Sequence, residues 1–293
     1  MKNQLKPVEL FLAVSFATSV GVGGTLAANT SDREIFNQST SETLPFLAQG
    51  THGGEGGEGS HGGEGGEGGE GGEGGEGGEG ATTSANPDVD YLTTLGLMKG
   101  HLIVAEELIA AGNYTEAEVH IAHPVEELYS AIETELPERN VPDFRATLTE
   151  MQDLSKSAPD SPQMKESFNK SMESIDQAIA AIPQEQLKSP EFVMNVMMEM
   201  LKTAADEYEA AIADNKFVEV EEYQDSRGFV LYSEQLYQNI SDQMSQEKPD
   251  NHQIILETLA DLKTAWPSVT PPETPIKSSS EVYGLVSVIE LNK

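Results

Sequence analysis

After residue 87 the chain places apolar residues three and four positions apart, which is the pattern of amphipathic helices. The first predicted helix covers 91–109 and ends before Gly112 and Asn113, residues that often terminate helices. Further helices are predicted at 115–136, 142–157, 162–182, 190–214, 218–244, 252–266 and 280–291. Because no segment shows the alternation expected of a strand, the pattern predicts an all-α fold.

The predicted helices are joined by short loops, which favours antiparallel packing in bundles. About eight helices divide into four within 88–183 and four within 184–293, on either side of Pro183. Two packed four-helix bundles and one elongated bundle both agree with this division.

The N-terminal residues predict export. Lys2 and Lys6 precede an uncharged stretch at 10–28, which ends in the small residues Ala27 and Ala28. This order is typical of a cleavable signal peptide, here assigned to 1–28. An uncleaved anchor is the alternative, because about 20 apolar residues can span a bilayer. We therefore expect a periplasmic or otherwise extracytoplasmic protein that contacts the membrane only if this segment stays uncleaved.

Residues 29–87 have the composition of a disordered segment. They begin Ser/Thr-rich and continue as a Gly-Gly-Glu run at 52–80. Such a run has no apolar surface to bury and loses much backbone entropy on ordering. We expect it to serve either as a soluble spacer or as a weak collector of cations.

Charge and cysteine content narrow the possible partners. There are 17 Lys and Arg against 50 Asp and Glu, a formal net charge of -33. This charge repels phosphate backbones, which argues against nucleic acid, and attracts metal cations and basic proteins. The chain has no cysteine, which excludes disulfides, thiolate metal sites and cysteine nucleophiles.

Three of the six histidines are candidate metal ligands. His101 lies in the first predicted helix, and the second carries His120 and His123, whose spacing lets two imidazoles reach one ion. If the second helix were continuous, Glu116 and Glu127 would lie on the same face of it as His120 and His123. Mixed nitrogen and oxygen ligands of this kind would hold iron, zinc or copper.

Pro124 complicates this face of the second helix. Its ring clashes with the carbonyl of His120 in an undistorted helix, so we expect a junction at His123. Glu126 and Glu127 would then lie in the first turn of the next segment, as further candidate ligands. The alternative gives all three histidines structural roles, as core or kink-capping residues.

A second cluster of candidate residues lies in the sixth predicted helix. Tyr223 and Asp225 could orient or bind a ligand, and Arg227 could pair with a carboxylate. Gly228 is a weak point of the helix and would admit close approach by another helix. The alternative for this cluster is a buried salt bridge between helices.

The chain resembles known exported proteins in three stretches: Leu95 to Leu102 (LGLMKGHL), His120 to Tyr129 (HIAHPVEELY) and Glu222 to Val230 (EYQDSRGFV). These are similar to a group of exported bacterial helical-bundle proteins. The predicted signal peptide, paired bundles and His-x-x-Glu sequence more distantly resemble imelysin-type and periplasmic iron-uptake proteins. That resemblance implies an extracytoplasmic metal-binding role for His123 and Glu126. The imelysin-type motif has glycine where this chain has Ile121, and Pro124 falls inside it.

The leading hypothesis is a protein that binds or handles a divalent transition metal in the cell envelope. The runner-up is a non-catalytic adaptor that recruits a basic partner and uses its acidic tail as a tether. No nucleophile elbow, phosphate loop or HExxH helix occurs, which argues against a familiar enzyme. A third hypothesis is a hydrolase in which Glu126 or Glu127 is the base for a metal-activated water.

Overall fold

The computed structural model describes residues 84–293. The predicted signal peptide and nearly all of the predicted disordered segment lie outside this range. Within it the fold is all-α, as predicted. The first half contains α1 (Pro87–Ala110), α2 (Tyr114–His123), a π-helical turn (Pro124–Leu128), α3 (Tyr129–Ile132), α4 (Arg145–Ser157) and α5 (Pro162–Ile179). The second half contains α6 (Gln184–Leu187), α7 (Pro190–Ala210), α8 (Val220–Gln238), α9 (Ser241–Glu247), α10 (Pro249–Leu262), a 3-10 turn (Lys263–Ala265) and α11 (Ser279–Leu291).

Side-chain caps fix the start of four of the longer helices. Asn86, Ser161, Ser189 and Ser278 each accept a hydrogen bond from a backbone N–H in the first turn that follows. In the first three cases a proline follows directly, where its missing N–H leaves no helical bond unmade. The boundaries of α1, α5, α7 and α11 are therefore encoded locally.

The connection between α7 and α8 is a small hairpin rather than helix. Two short strands, β1 (Ile212–Ala213) and β2 (Lys216–Phe217), pair in antiparallel fashion. Asp214 and Asn215 form the turn with φ of 52° and 58°, a conformation that Asp and Asn tolerate better than most residues. The predicted extension of the fifth helix to residue 214 is therefore wrong, since α7 ends at Ala210.

The sixth predicted helix is divided in the structure, but not at Gly228. It ends at Gln238, and α9 begins at Ser241. The helix continues unbroken through Gly228, and the predicted close approach of another helix occurs there. A Cβ atom on Gly228 would lie 2.2 Å from the backbone oxygen of Gly100 in α1. The two helices therefore cross with their backbones in contact.

Helix α1 is the central element of the core. It is buried along most of its length and packs on α2, α5, α7 and α8. Helix α7 in turn packs on α8 and α11, and α11 packs on α10, so the long helices of the second half form a bundle. The buried apolar side chains of both halves belong to one continuous cluster. None of the helices within 84–293 has the length and apolar character that a membrane span requires.

Candidate metal centre

The chain remains helical through Pro124 by widening one turn. Residues Pro124–Leu128 form a π-helical turn directly after His123, the last residue of α2. A wider turn accommodates the proline ring, which an α-helical turn would press against the carbonyl of His120. The predicted junction at His123 is present, and it leaves His120 and His123 buried on the inner side of α2.

The crossing of α1 and α8 supplies the other side of the centre. His101 follows Gly100 on α1, and Asp225 lies three residues before Gly228 on α8. Because the backbones touch at the two glycines, these side chains meet directly. His101 Nδ1 lies 2.6 Å from Asp225 Oδ1, and both residues are almost fully buried.

Four side chains converge on one point. His120 Nδ1 lies 2.7 Å from Asp225 Oδ1, the same oxygen that His101 contacts. His123 Nδ1 lies 3.3 Å from His101 Nδ1 and 3.5 Å from Asp225 Oδ2. One potential ligand atom from each of the four residues lies within 4.8 Å of all the others. His123 is the most exposed of the four, at 9%.

The outward-facing nitrogens of two histidines have acceptors of their own. His120 Nε2 lies 2.7 Å from Gln224 Oε1, and His123 Nε2 lies 3.0 Å from Glu221 Oε1. Metal-binding histidines usually donate their second N–H to an acceptor, which turns the first nitrogen toward the ion. The same arrangement here leaves the Nδ1 atoms of both histidines facing the centre of the cluster.

The charges of the cluster are set by the buried carboxylate of Asp225 and the imidazoles around it. Burial raises the pKa of Asp225, but the charges and hydrogen bonds of His101 and His120 outweigh it and hold the pKa well below its usual range. Burial lowers the pKa of His123, yet its contacts with Asp225 and Glu221 raise the pKa to about 11 overall. Both shifts have the same cause, a buried carboxylate in contact with imidazoles, and they favour positive charge next to Asp225.

The donor set fits a first-row transition metal. Asp225 Oδ2 is buried and lacks a hydrogen-bond partner among residues 84–293, which a metal ion at the centre would provide. Tetrahedral ligands about 2.1 Å from an ion lie about 3.4 Å apart, so small side-chain movements suffice here. Three imidazoles and one carboxylate suit iron, zinc or copper.

The remaining predicted site residues lie elsewhere. Glu126 is exposed and accepts a hydrogen bond from Gln152, so the structure does not bring it into the cluster. Glu127 lies at the rim, with Oε1 3.8 Å from His123 Nε2. Tyr223 donates its hydroxyl to the carbonyl of Ser268, at 2.8 Å.

Arg227 forms an ion pair between two helices, which was the alternative interpretation of the second predicted cluster. Its Nε and Nη2 donate to Glu107 of α1 at 2.8 and 2.9 Å, and Nη1 donates to the Trp266 carbonyl at 2.7 Å. The predicted second cluster therefore separates: Asp225 joins the histidines, while Arg227 connects α8 to α1.

Sequence reasoning missed Gln224 and Glu221. Both precede Asp225 on α8, at spacings of one and four residues. The spacing of four between Glu221 and Asp225 placed them on one helix face and was the available signal. Gln224 carried no such signal, since a glutamine beside an aspartate is common on helix surfaces.

One comparison with known proteins concerns the second half of the chain. Residues 183–292 match the family described as the iron permease-associated 4-helix bundle domain. The chain is similar to that family over this part. The match includes α7, α8, α10 and α11 and therefore Asp225, whereas the three histidines lie before it. It agrees with the predicted link to iron uptake and does not concern the imelysin-type resemblance. No curated protein and no solved structure matches the chain.

Proposed function

We propose that this protein binds a divalent transition metal, iron(II) foremost, through His101, His120, His123 and Asp225. The observation that carries the proposal is the convergence of four donor groups around a buried carboxylate oxygen that lacks a hydrogen-bond partner among residues 84–293. Buried polar groups are normally paired, so an unpaired carboxylate oxygen facing imidazole nitrogens favours a cation site. The match to an iron permease-associated domain supports iron as the metal handled.

The arrangement favours metal handling over catalysis. Four protein ligands complete a tetrahedral coordination sphere, whereas catalytic metal sites keep a position open for water or substrate. Glu126, one of the two candidate bases of the hydrolase hypothesis, is held by Gln152 away from the cluster. We therefore favour a protein that holds a metal ion and passes it on within the cell envelope.

The acidic surface and the N-terminal sequence complete this proposal. A net charge of -33 raises the local concentration of cations around the protein. Cleavage of the predicted signal peptide would leave the protein outside the cytoplasm with its Gly-Gly-Glu run as spacer or cation collector. The adaptor function, with a basic protein as partner, remains the second candidate because the same charge favours it.

Elemental analysis of the mature protein, loaded anaerobically with Fe²⁺ and desalted, tests the proposal. We expect about one equivalent of iron per chain, both in the full mature form and in a form lacking residues 52–80. The double variant His120→Ala/His123→Ala should lose it. His252→Ala is the matched control, because this histidine contacts Tyr237 and lies outside the cluster.

Three results would contradict the proposal. Retention of the iron by the double variant would place the metal elsewhere, and iron found only with residues 52–80 present would assign it to the Gly-Gly-Glu run. Absence of iron, zinc and copper from every form after reconstitution would leave the adaptor function. Zinc and copper belong in the test because they outcompete iron(II) at many nitrogen and oxygen sites.

A further inference from the structure

The orientation of Gln224 is fixed from both ends of its amide. Its Oε1 lies 2.7 Å from His120 Nε2, while its Nε2 donates to Glu116 Oε2 at 2.6 Å and to the carbonyl of Val269 at 3.3 Å. The side chain is buried, at 1% exposure. Gln224 therefore links the candidate metal centre to a carboxylate on α2, the helix that also carries His120.

The chemistry of these groups permits one arrangement of protons. A carboxylate and a backbone carbonyl only accept hydrogen bonds, so the NH₂ end of Gln224 must face Glu116 and Val269. The amide oxygen is then the end that meets His120, and an oxygen can only accept. His120 must therefore carry a proton on Nε2, which leaves Nδ1 as its metal-binding nitrogen.

We propose that Gln224, held in place by Glu116, is a positioning residue that fixes the Nε2–H tautomer of His120 and directs its Nδ1 lone pair at the metal. The inference rests on the proposed function, since it assigns the residues that orient one ligand of that site. Groups that hold a metal-binding histidine in this way typically change metal affinity by about 10- to 100-fold when they are removed.

The neutral amide also sets the charge next to the ion. Among the four proposed ligands only Asp225 is negatively charged, while the carboxylates of Glu221 and Glu127 lie farther out, against His123. Uncompensated charge is costly in a buried site, so a ligand set with one carboxylate favours a divalent over a trivalent ion. A carboxylate at position 224 would bring a second negative charge to the centre and reduce that preference.

A pair of variants separates the hydrogen bond from the charge. Gln224→Leu removes the acceptor and should weaken Co²⁺ binding by about 10- to 100-fold. The exchange Gln224→Glu/Glu116→Gln keeps the hydrogen bonds of position 224 to His120 and to position 116, because the introduced carboxylate can accept from both His120 and the amide introduced at position 116. It loses only the longer bond of 3.3 Å to the Val269 carbonyl. It should restore Co²⁺ affinity to at least the wild-type value. Gln152→Leu is the matched control, a buried glutamine that contacts Glu126 instead.

The ¹⁵N NMR spectrum of the metal-free protein gives a second readout. Wild type and the exchange variant should both show His120 protonated at Nε2, whereas Gln224→Leu should lose this preference. A loss of helix packing alone would not change the tautomer in this pattern. If Gln224→Leu does not fold, the exchange variant still decides, since loss of Co²⁺ affinity in a folded exchange protein would overturn the inference.

The two proposals fail in different ways. A folded Gln224→Leu protein with wild-type Co²⁺ affinity and an unchanged tautomer would overturn the positioning role and leave the metal site intact. A wild-type protein that binds neither Co²⁺ nor Fe²⁺ would overturn the metal site itself.

Co²⁺ serves as the probe because its absorption spectrum reports the number and geometry of its ligands, and it does not oxidise readily in air.

Discussion

Two polar clusters connect α1 with α8, and they differ in how completely their hydrogen bonds are satisfied. In the first, the Arg227 guanidinium forms two bonds to Glu107 and one to the Trp266 carbonyl. In the second, two imidazoles contact one oxygen of Asp225 while its other oxygen has no hydrogen-bond partner among residues 84–293. Asp225 and Arg227 are only two residues apart on α8. The difference in their hydrogen bonding therefore comes from the residues that they contact outside this helix.

This difference separates a structural contact from a candidate ligand site. A bidentate pair between Arg and a carboxylate uses matched donors and acceptors and needs no further group. The histidine cluster brings the Nδ1 atoms of three histidines around the Asp225 carboxylate, where protons on these nitrogens or a metal ion can join the groups. The complete set of partners around Arg227 thus agrees with a role in folding, whereas the incomplete set around Asp225 is the feature on which the proposed metal site depends.

The largest effect on stability and metal binding should come from removing the carboxylate of Asp225 from the histidine cluster. Asp225→Ala leaves buried, proton-binding histidines without their counter-charge, and breaking a buried charge pair typically destabilises a protein by about 3–5 kcal/mol. Urea denaturation of the metal-free protein measures this free energy of unfolding. Metal binding should also be lost in a Co²⁺ titration. An Asp225→Ala protein with unchanged metal affinity would contradict the role assigned to the cluster.

A smaller loss should follow from separating the two helices that carry both clusters. Gly228→Ala places a methyl group 2.2 Å from the Gly100 oxygen, so the backbones must move apart. Overpacking of this kind typically costs about 1–3 kcal/mol. Gly284→Ala is the control, because nothing lies within 4 Å of its Cβ position and alanine favours helix by up to about 1 kcal/mol.

The two glycine variants also test whether the crossing of α1 and α8 sets the geometry of the candidate metal centre. Gly228→Ala should lower Co²⁺ affinity together with stability, because His101 and Asp225 flank the contact. Gly284→Ala should leave affinity unchanged while stability stays equal or rises. Equal metal affinity in both variants would show that the centre does not depend on the close approach of the helices.

The smallest effect on stability is expected in the cluster formed by Arg227 and Glu107, whose hydrogen bonds are complete. Glu107→Gln weakens an ion pair whose carboxylate is about one-third exposed, at 34%. Partly exposed pairs of this kind contribute about 0–1 kcal/mol, so the free energy of unfolding should fall by no more than that. Metal affinity should not change. A loss of metal binding in Glu107→Gln would mean that the two clusters act as one unit, contrary to their separate hydrogen bonds.

The local sequence pattern was sufficient to predict the fold class and to select the three histidines as candidate ligands. Helix spacing and capping residues are properties of short stretches of sequence, so α1, α5, α7 and α11 were located closely. His101, His120 and His123 were predicted as candidate ligands on two neighbouring helices, and the structure brings them together. The convergence of these side chains required only that the helices pack with their polar residues facing each other.

The direction of Glu126 and the role of Gln224 depend on features that no local pattern carries. A π-helical turn changes the rotation per residue, so every side chain after Pro124 points differently from the α-helical expectation. Gln224 acquires its role from Glu116 and His120, which are more than 100 residues away along the chain. Such long-range partners are set by packing and become visible only in the folded protein.

The candidate metal centre takes its residues from two parts of the chain, and this bears on how other sequences should be interpreted. Asp225 lies in the region that matches the iron permease-associated domain, but the histidines come from α1 and α2, before it. A chain that consisted only of residues 183–292 would contain Asp225 without the three histidines. If the proposed site is correct, metal binding in a protein with such a region should therefore be sought in the helices fused to it.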